Sequence, residues 1–229
     1  MLSNIQKKIN SEFLDKVDAF NKLISPAQVK NFSTKIFGIG LNKTGTTTLG
    51  IILKDLGKKH CSYSFDILNE CRKGKFKRFF ETISRNDSFE DWPWPLYFRL
   101  IDIYFPNSKF ILTTRISADV WLESLKKHSL KTSKRHDRCL AYGLEYPHLD
   151  EKYMKDFYTN HNKNVRDYFK DRNNDFLEIC WERGDNLEKI YTFLNKPIPA
   201  NLSVPHLNKA TSKKTAYNIQ RLKKLGINI

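Results

Sequence analysis

The chain has 229 residues, enough for one compact domain with a sizeable core. Hydrophobic residues make up 40% and aromatic residues 13%, which excludes a disordered composition. Lys and Arg outnumber Asp and Glu by 40 to 25, and the resulting +15 favours a polyanionic partner: nucleic acid, a membrane surface or a heavily phosphorylated small molecule. A solvated basic surface is the plain alternative.

Residues 3 to 24 carry Ile5, Ile9, Phe13, Val17, Phe20 and Leu23 at spacings of three and four, the pattern of an amphipathic helix. Its polar face mixes Lys with Glu and Asp, so residues 1–30 are expected to pack on the domain. The stretch "KIFGIG" reads as an apolar strand, and "TTTLGIILKDLG" as a helix ended by Gly57. "HCSYS" reads as a second short strand, and residues 67 to 86 as one basic helix. "SFEDW" is an acidic, aromatic approach to "PWPLYFRLIDIYFP", a helix closed by Pro106. "KFILTT" is the clearest strand, apolar and β-branched, and "SADVWLESLKKHSL" the helix after it. A helix over 151 to 171, a strand "DFLEIC", a helix "NLEKIYTFLN" and a basic C-terminal helix within 208–229, expected to be solvated, complete the pass. Strands alternating with helices imply a single three-layer α/β/α domain over 1–229, with a central, mainly parallel sheet.

Four dispersed cysteines, Cys61, Cys71, Cys139 and Cys180, form no CxxC pair, so buried reduced thiols are expected rather than a zinc knuckle or disulfide framework. The N-terminal stretch is too polar for a signal peptide or a membrane span, and a soluble, cytoplasmic protein is the expectation. None of the six histidines has metal-ligand spacing.

The chemistry concentrates in "GIGLNKTGTTTL". A strand ending in glycines, a turn and a helix form an anion site, because the first N–H groups of the helix are unpaired and its dipole favours negative charge. Gly45 admits close approach, Thr44, Thr46, Thr47 and Thr48 add hydroxyls, and Lys43 places an ammonium at the lip. The order differs from the usual nucleotide loop, where lysine follows the second glycine. A dinucleotide fingerprint fails because Lys43 stands where its third glycine is required. An ATP site wants a strand ending in a metal-holding Asp, and "KFILTT" and "DFLEIC" do not supply one.

G-x-x-K-[ST]-G-[ST]-[ST] after an apolar strand resembles the 5′-phosphosulfate loop of the sulfotransferases. These use 3′-phosphoadenosine 5′-phosphosulfate (PAPS) as donor and release 3′,5′-ADP. The second signature of that family is a strand-end Arg followed by a helix carrying a Ser eight or nine residues on, both holding the 3′-phosphate. "KFILTTRISADVWLESL" has Arg115 and Ser124 in that layout. Arg can fork onto a phosphate, and a hydroxyl completes the clamp. The resemblance runs from about Lys35 to Lys209, closest to a branch with an Asp-Trp-Pro segment and a late "PHLNK". It implies that Lys43 stabilises the leaving 5′-phosphate and that no metal is needed. Where cytosolic members carry a base His before a hydrophobic-Pro pair, this chain has Asp91, with Glu90 beside it. Burial against Trp92 and Trp94 would fit Asp91 for general base, and capping of the next helix is its structural alternative. The late Arg-Lys-Gly clamp is absent as such, and His206 is the histidine to watch.

Two other readings stand beside this one. A nucleotide or small-molecule kinase would use the same loop with ATP and Mg²⁺. A nucleic-acid-binding module would use the basic segments at 72–85, 126–138 and 208–224, but no recognised motif accompanies them. The acceptor remains open among carbohydrate, lipid, phenol and small metabolite, with the Trp92/Trp94 segment and residues 128 to 150 as expected walls.

Overall fold

A computed structural model describes residues 34–133, 135–199 and 214–227. The expected N-terminal helix, His206 and the "PHLNK" segment lie outside the described residues.

Five strands, β1 (Ile36–Gly38), β2 (His60–Cys61), β3 (Ser88–Phe89), β4 (Lys109–Thr113) and β5 (Phe176–Ile179), form one parallel sheet in the order β2-β3-β1-β4-β5. Nine α-helices are found among the described residues: α1 (Thr46–Asp55), α2 (Phe65–Arg72), α3 (Lys77–Arg85), α4 (Phe98–Tyr104), α5 (Ala118–Lys131), α6 (Arg135–Tyr142), α7 (Glu151–Phe169), α8 (Leu187–Phe193) and α9 (Lys214–Lys224). None of the described helices is long and apolar enough to cross a membrane.

Strand residues alternate between two cores, which is why the strands read as continuous apolar runs. Phe37, Phe110 and Leu112 face a core closed by α2, α3, α4 and α7. Ile36, Ile111 and Ile179 face the other, closed by α1 and α8. The expected three-layer α/β/α arrangement is therefore present. On the first face an aromatic row crosses the sheet: Phe89 on Phe37 (4.6 Å), Phe37 on Phe110 (5.7 Å), Phe110 on Phe169 (4.8 Å) and Phe169 on Phe176 (5.2 Å). Parallel register sets it, pairing Phe37 with both Phe89 and Phe110, and Phe110 with Phe176. Such pairs add roughly 0.5–1.5 kcal/mol each beyond their burial.

Three local expectations are revised. The basic stretch 67 to 86 is two helices, because Gly74 takes φ 73°, a left-handed turn that ends the first helix. "SFEDW" contains strand β3. The C-terminal helix is docked rather than solvated: Asn218 is buried, its Nδ2 donates to Leu130 O (2.8 Å) and Thr132 O (3.1 Å), and its Oδ1 accepts from Tyr146 O–H (2.7 Å). Arg221 forks onto Glu145 beside it.

His161 on α7 is half-buried and its Nε2–H donates to Ile39 O, 2.8 Å away, at the root of the loop that follows β1. Burial holds its pKa down at about 4. The unfolded chain, titrating near 6.5, therefore takes up this proton first. The neutral imidazole stabilises the fold above about pH 6.5, and that contribution, on the order of 3 kcal/mol, is lost as pH falls toward 4. Denaturant unfolding at pH 7 and 4.5 is expected to show the loss in wild type and a flatter profile in His161→Gln. Equal slopes would remove His161 from the account.

Candidate active site

The order β3-β1-β4 makes β1 the switch point of the sheet, where crossovers leave in opposite directions and a crevice opens at the strand carboxyl ends. Residues 39 to 45 fill that crevice. Two contacts fix their path. A Cβ on Gly40 would lie 2.1 Å from Thr113 Oγ1 and 2.3 Å from Thr113 O, so only glycine lets the loop press against the end of β4. Thr44 Oγ1 donates to Leu41 O (2.6 Å), which leaves Thr113 as donor in the 2.6 Å hydroxyl pair between Thr44 and Thr113. Asn42 holds the other side, its carbonyl accepting from Trp121 Nε1 (2.9 Å) and its Oδ1 from Tyr142 O–H.

This path points backbone donors outward. Lys43 (φ 70°) and Gly45 (φ 96°) are both left-handed, and α1 starts from Gly45 without a side-chain cap. Helices α2, α5, α7 and α8, by contrast, are capped by Ser64, Ser117, Asp150 and Asn186. Leu49 N–H is the first in α1 to reach back, to Gly45 O; the N–H groups of Thr46, Thr47 and Thr48 have no backbone partner among the described residues. An anion seated there meets these donors and the positive end of α1. The threonines differ. Thr44 spends its hydroxyl inside the loop, Thr46 is buried, Thr48 is half-buried and Thr47 is exposed.

Arg115, just past β4, reaches the same loop: Nη1 donates to Lys43 O (3.2 Å) and Nη2 pairs with Glu182 Oε1 (2.5 Å). Its backbone N–H is held by Tyr158 Oη (2.8 Å), and its buried Nε has no partner among the described residues. Burial lowers the pKa of Lys43, Asp91 nearby opposes that, and the cations Arg115 and Lys131 add to it. Lys43, Arg115 and Asp91 thus share one electrostatic environment. Ser124 is half-buried on α5, at helical spacing from Trp121 and Lys131, with no hydrogen bond to Arg115. Lys131 adds its charge to the field at Lys43, and Trp121 on the same helix touches the loop at Asn42 O.

Asp91 stands at the carboxyl end of β3, beside β1. It takes φ 64° and its Oδ1 accepts from Trp92 N–H (2.7 Å). Its charge also raises the pKa of buried Tyr142, after burial itself, and of Tyr63, after burial and the hydrogen bond and charge of Asp137. Trp92 packs edge-on against Tyr142 (4.9 Å) and Tyr63 (6.4 Å), and Tyr63 O–H donates to Asp137 on α6 (2.6 Å). Trp92, Tyr63 and α6 therefore wall the side of the loop opposite Glu182. Trp94 does not: it is buried against Phe79 and Phe89 in the first core, and its Nε1 donates to Ser62 O (3.3 Å).

A family model described as a sulfotransferase domain matches residues 35–147 and 132–213, together most of the chain. The chain belongs to this family. No curated protein matches it.

Two parts of this candidate site escaped the sequence reading. Trp181, after β5, presses the Nε1 edge of its ring against the loop, Nε1 lying 2.3 Å from where a Cβ on Gly45 would be and buried without a partner among the described residues. Glu182 meets Arg115. Glu90, named in the sequence beside Asp91, stands at the end of β3 next to β1, a third strand end that "KFILTT" and "DFLEIC" do not represent and that carries a carboxylate. Glu90 is committed elsewhere: it is buried, accepts from Ser62 Oγ, lies 3.6 Å from His60 Nε2, and occupies space left by Gly38 and Gly50.

Proposed function

We propose that this sulfotransferase moves the sulfuryl group of PAPS to a hydroxyl, or an amine, of a small-molecule, carbohydrate or lipid acceptor. The observation that carries the reading is the meeting of two anion-holding elements, the uncapped start of α1 and the Arg115 guanidinium, joined by the bond from Arg115 to Lys43 O. A nucleotide charged at both its 5′ and 3′ ends suits such a pair. Unpartnered donors at Arg115 Nε, Trp181 Nε1 and the first turn of α1 fit an anionic ligand.

In this reading the backbone donors at 46 to 48 and the Lys43 ammonium hold the 5′-phosphosulfate, and Arg115 and Ser124 hold the 3′-phosphate. Asp91 accepts the proton of the attacking hydroxyl. The new bond joins acceptor oxygen to sulfur as the bond from sulfur to the 5′-phosphate oxygen breaks in line. Lys43 stabilises the charge appearing on that oxygen, and 3′,5′-ADP departs. All four cysteines are free, which supports the cytoplasmic location within this reading.

Calorimetry without metal tests the donor. Wild type is expected to bind 3′,5′-ADP well above ADP or ATP, and Arg115→Ala to weaken 3′,5′-ADP by about 10- to 100-fold, the worth of a charged hydrogen bond. Equal binding of ATP, enhanced by Mg²⁺, would replace this reading with the kinase.

A further inference from the structure

Glu182 is a carboxylate placed against the arginine that would receive a phosphate. Its Oε1 lies 2.5 Å from Arg115 Nη2, and its Oε2 accepts from Ile116 N–H at 2.9 Å. The residue sits in the 3-10 turn Trp181–Arg183, directly after β5, so it is aimed by backbone and does not wander on a loop tip. Burial pulls its pKa up, but the Ile116 N–H and Arg115 more than offset this, and it is ionised at neutral pH. The Arg115 guanidinium has hydrogen-bond capacity left: Nη1 spends one hydrogen on Lys43 O, Nη2 one on Glu182, and Nε none on the described residues. A phosphate can therefore bind beside Glu182, but only with like charges in near contact.

We infer that Glu182 is a specificity- and release-determining residue, an internal counter-ion that deliberately weakens the grip of Arg115 on the 3′-phosphate. This rests on the PAPS reading above. Two consequences follow from the charge arrangement. Before ligand arrives, Glu182 holds the guanidinium in place against the loop, so little ordering remains for binding to complete. After reaction, its repulsion of the 3′-phosphate speeds departure of 3′,5′-ADP, a step that limits turnover in many enzymes. The effect is confined to ligands with a charge at the 3′ position, because Glu182 touches Arg115 and Ile116 and not the start of α1.

The test compares 3′,5′-ADP with 5′-AMP, which lacks the 3′-phosphate, on wild type, Glu182→Gln and Arg115→Ala/Glu182→Gln, by calorimetry and stopped-flow release. Glutamine keeps the side-chain length and one of the two hydrogen bonds while removing the charge. The expected result is binding of 3′,5′-ADP tightened about tenfold or more in Glu182→Gln with slower release, 5′-AMP unchanged, and no gain on the Arg115→Ala background. Unchanged or weaker 3′,5′-ADP binding in Glu182→Gln, or an equal gain for 5′-AMP, overturns the inference while wild-type preference for 3′,5′-ADP leaves the donor assignment standing. A wild type that does not distinguish the two nucleotides overturns both.

Discussion

Lys43→Met is expected to cut turnover by about 10²- to 10³-fold while leaving 3′,5′-ADP binding within severalfold of wild type. The asymmetry comes from where the lysine stands. Its backbone does structural work, accepting from Arg115 Nη1 in a left-handed turn, and methionine retains that carbonyl and a stem of similar length. Only the ammonium is removed. That group belongs to a half-buried residue and feels the charges of Asp91, Arg115 and Lys131, with burial its largest perturbation. A cation in such surroundings acts most strongly on charge that appears during reaction, and less on charge already present in the bound nucleotide. A large loss in nucleotide affinity with little change in turnover would make Lys43 a binding residue instead.

The second large effect is expected at Asp91. Asparagine tolerates φ 64° better than most residues and keeps an Oδ1 acceptor for Trp92 N–H, so Asp91→Asn removes charge and basicity but not the turn. Turnover is expected to fall about 10²- to 10⁴-fold, the range for loss of a general base, with thermal stability and 3′,5′-ADP binding close to wild type. Turnover within fivefold of wild type would leave Asp91 as a turn residue and remove it as the base.

The parts of the fold that were legible in the sequence are those whose signal is local. β1 and β4 are buried on both faces and read as apolar runs, β5 at the sheet edge is half-buried but still marked by Phe176, Leu177 and Ile179, and Ser117 and Asn186 announce their helices as caps. β3 was not legible, because only Ser88 and Phe89 pair, between Asp87 and the acids Glu90 and Asp91, and its burial comes from β1 and β2 on either side. Gly74 splits a helical pattern that charge made look continuous. At the site, the glycine-lysine-threonine order of the loop was visible, whereas Trp181 and Glu182 reach it only because β5 pairs with β4. Such a meeting has no sequence spacing to betray it. Asn218 is the same case: its buried side chain, together with Arg221 on Glu145, fastens a helix whose lysines suggested open solvent.

The pressing of Gly40 onto Thr113 makes the loop and the end of β4 one rigid piece, with Arg115 two residues further along the same chain. In the proposed reading the main chain thereby fixes the roots of the two anion-holding elements, leaving only the Arg115 side chain, itself tied to Lys43 O and Glu182, to adjust their spacing. Such a site would act as a caliper. A ligand with charges at the right separation engages both jaws and gains from the second at high effective concentration, while one whose charges are too close or too far keeps a single weak hold.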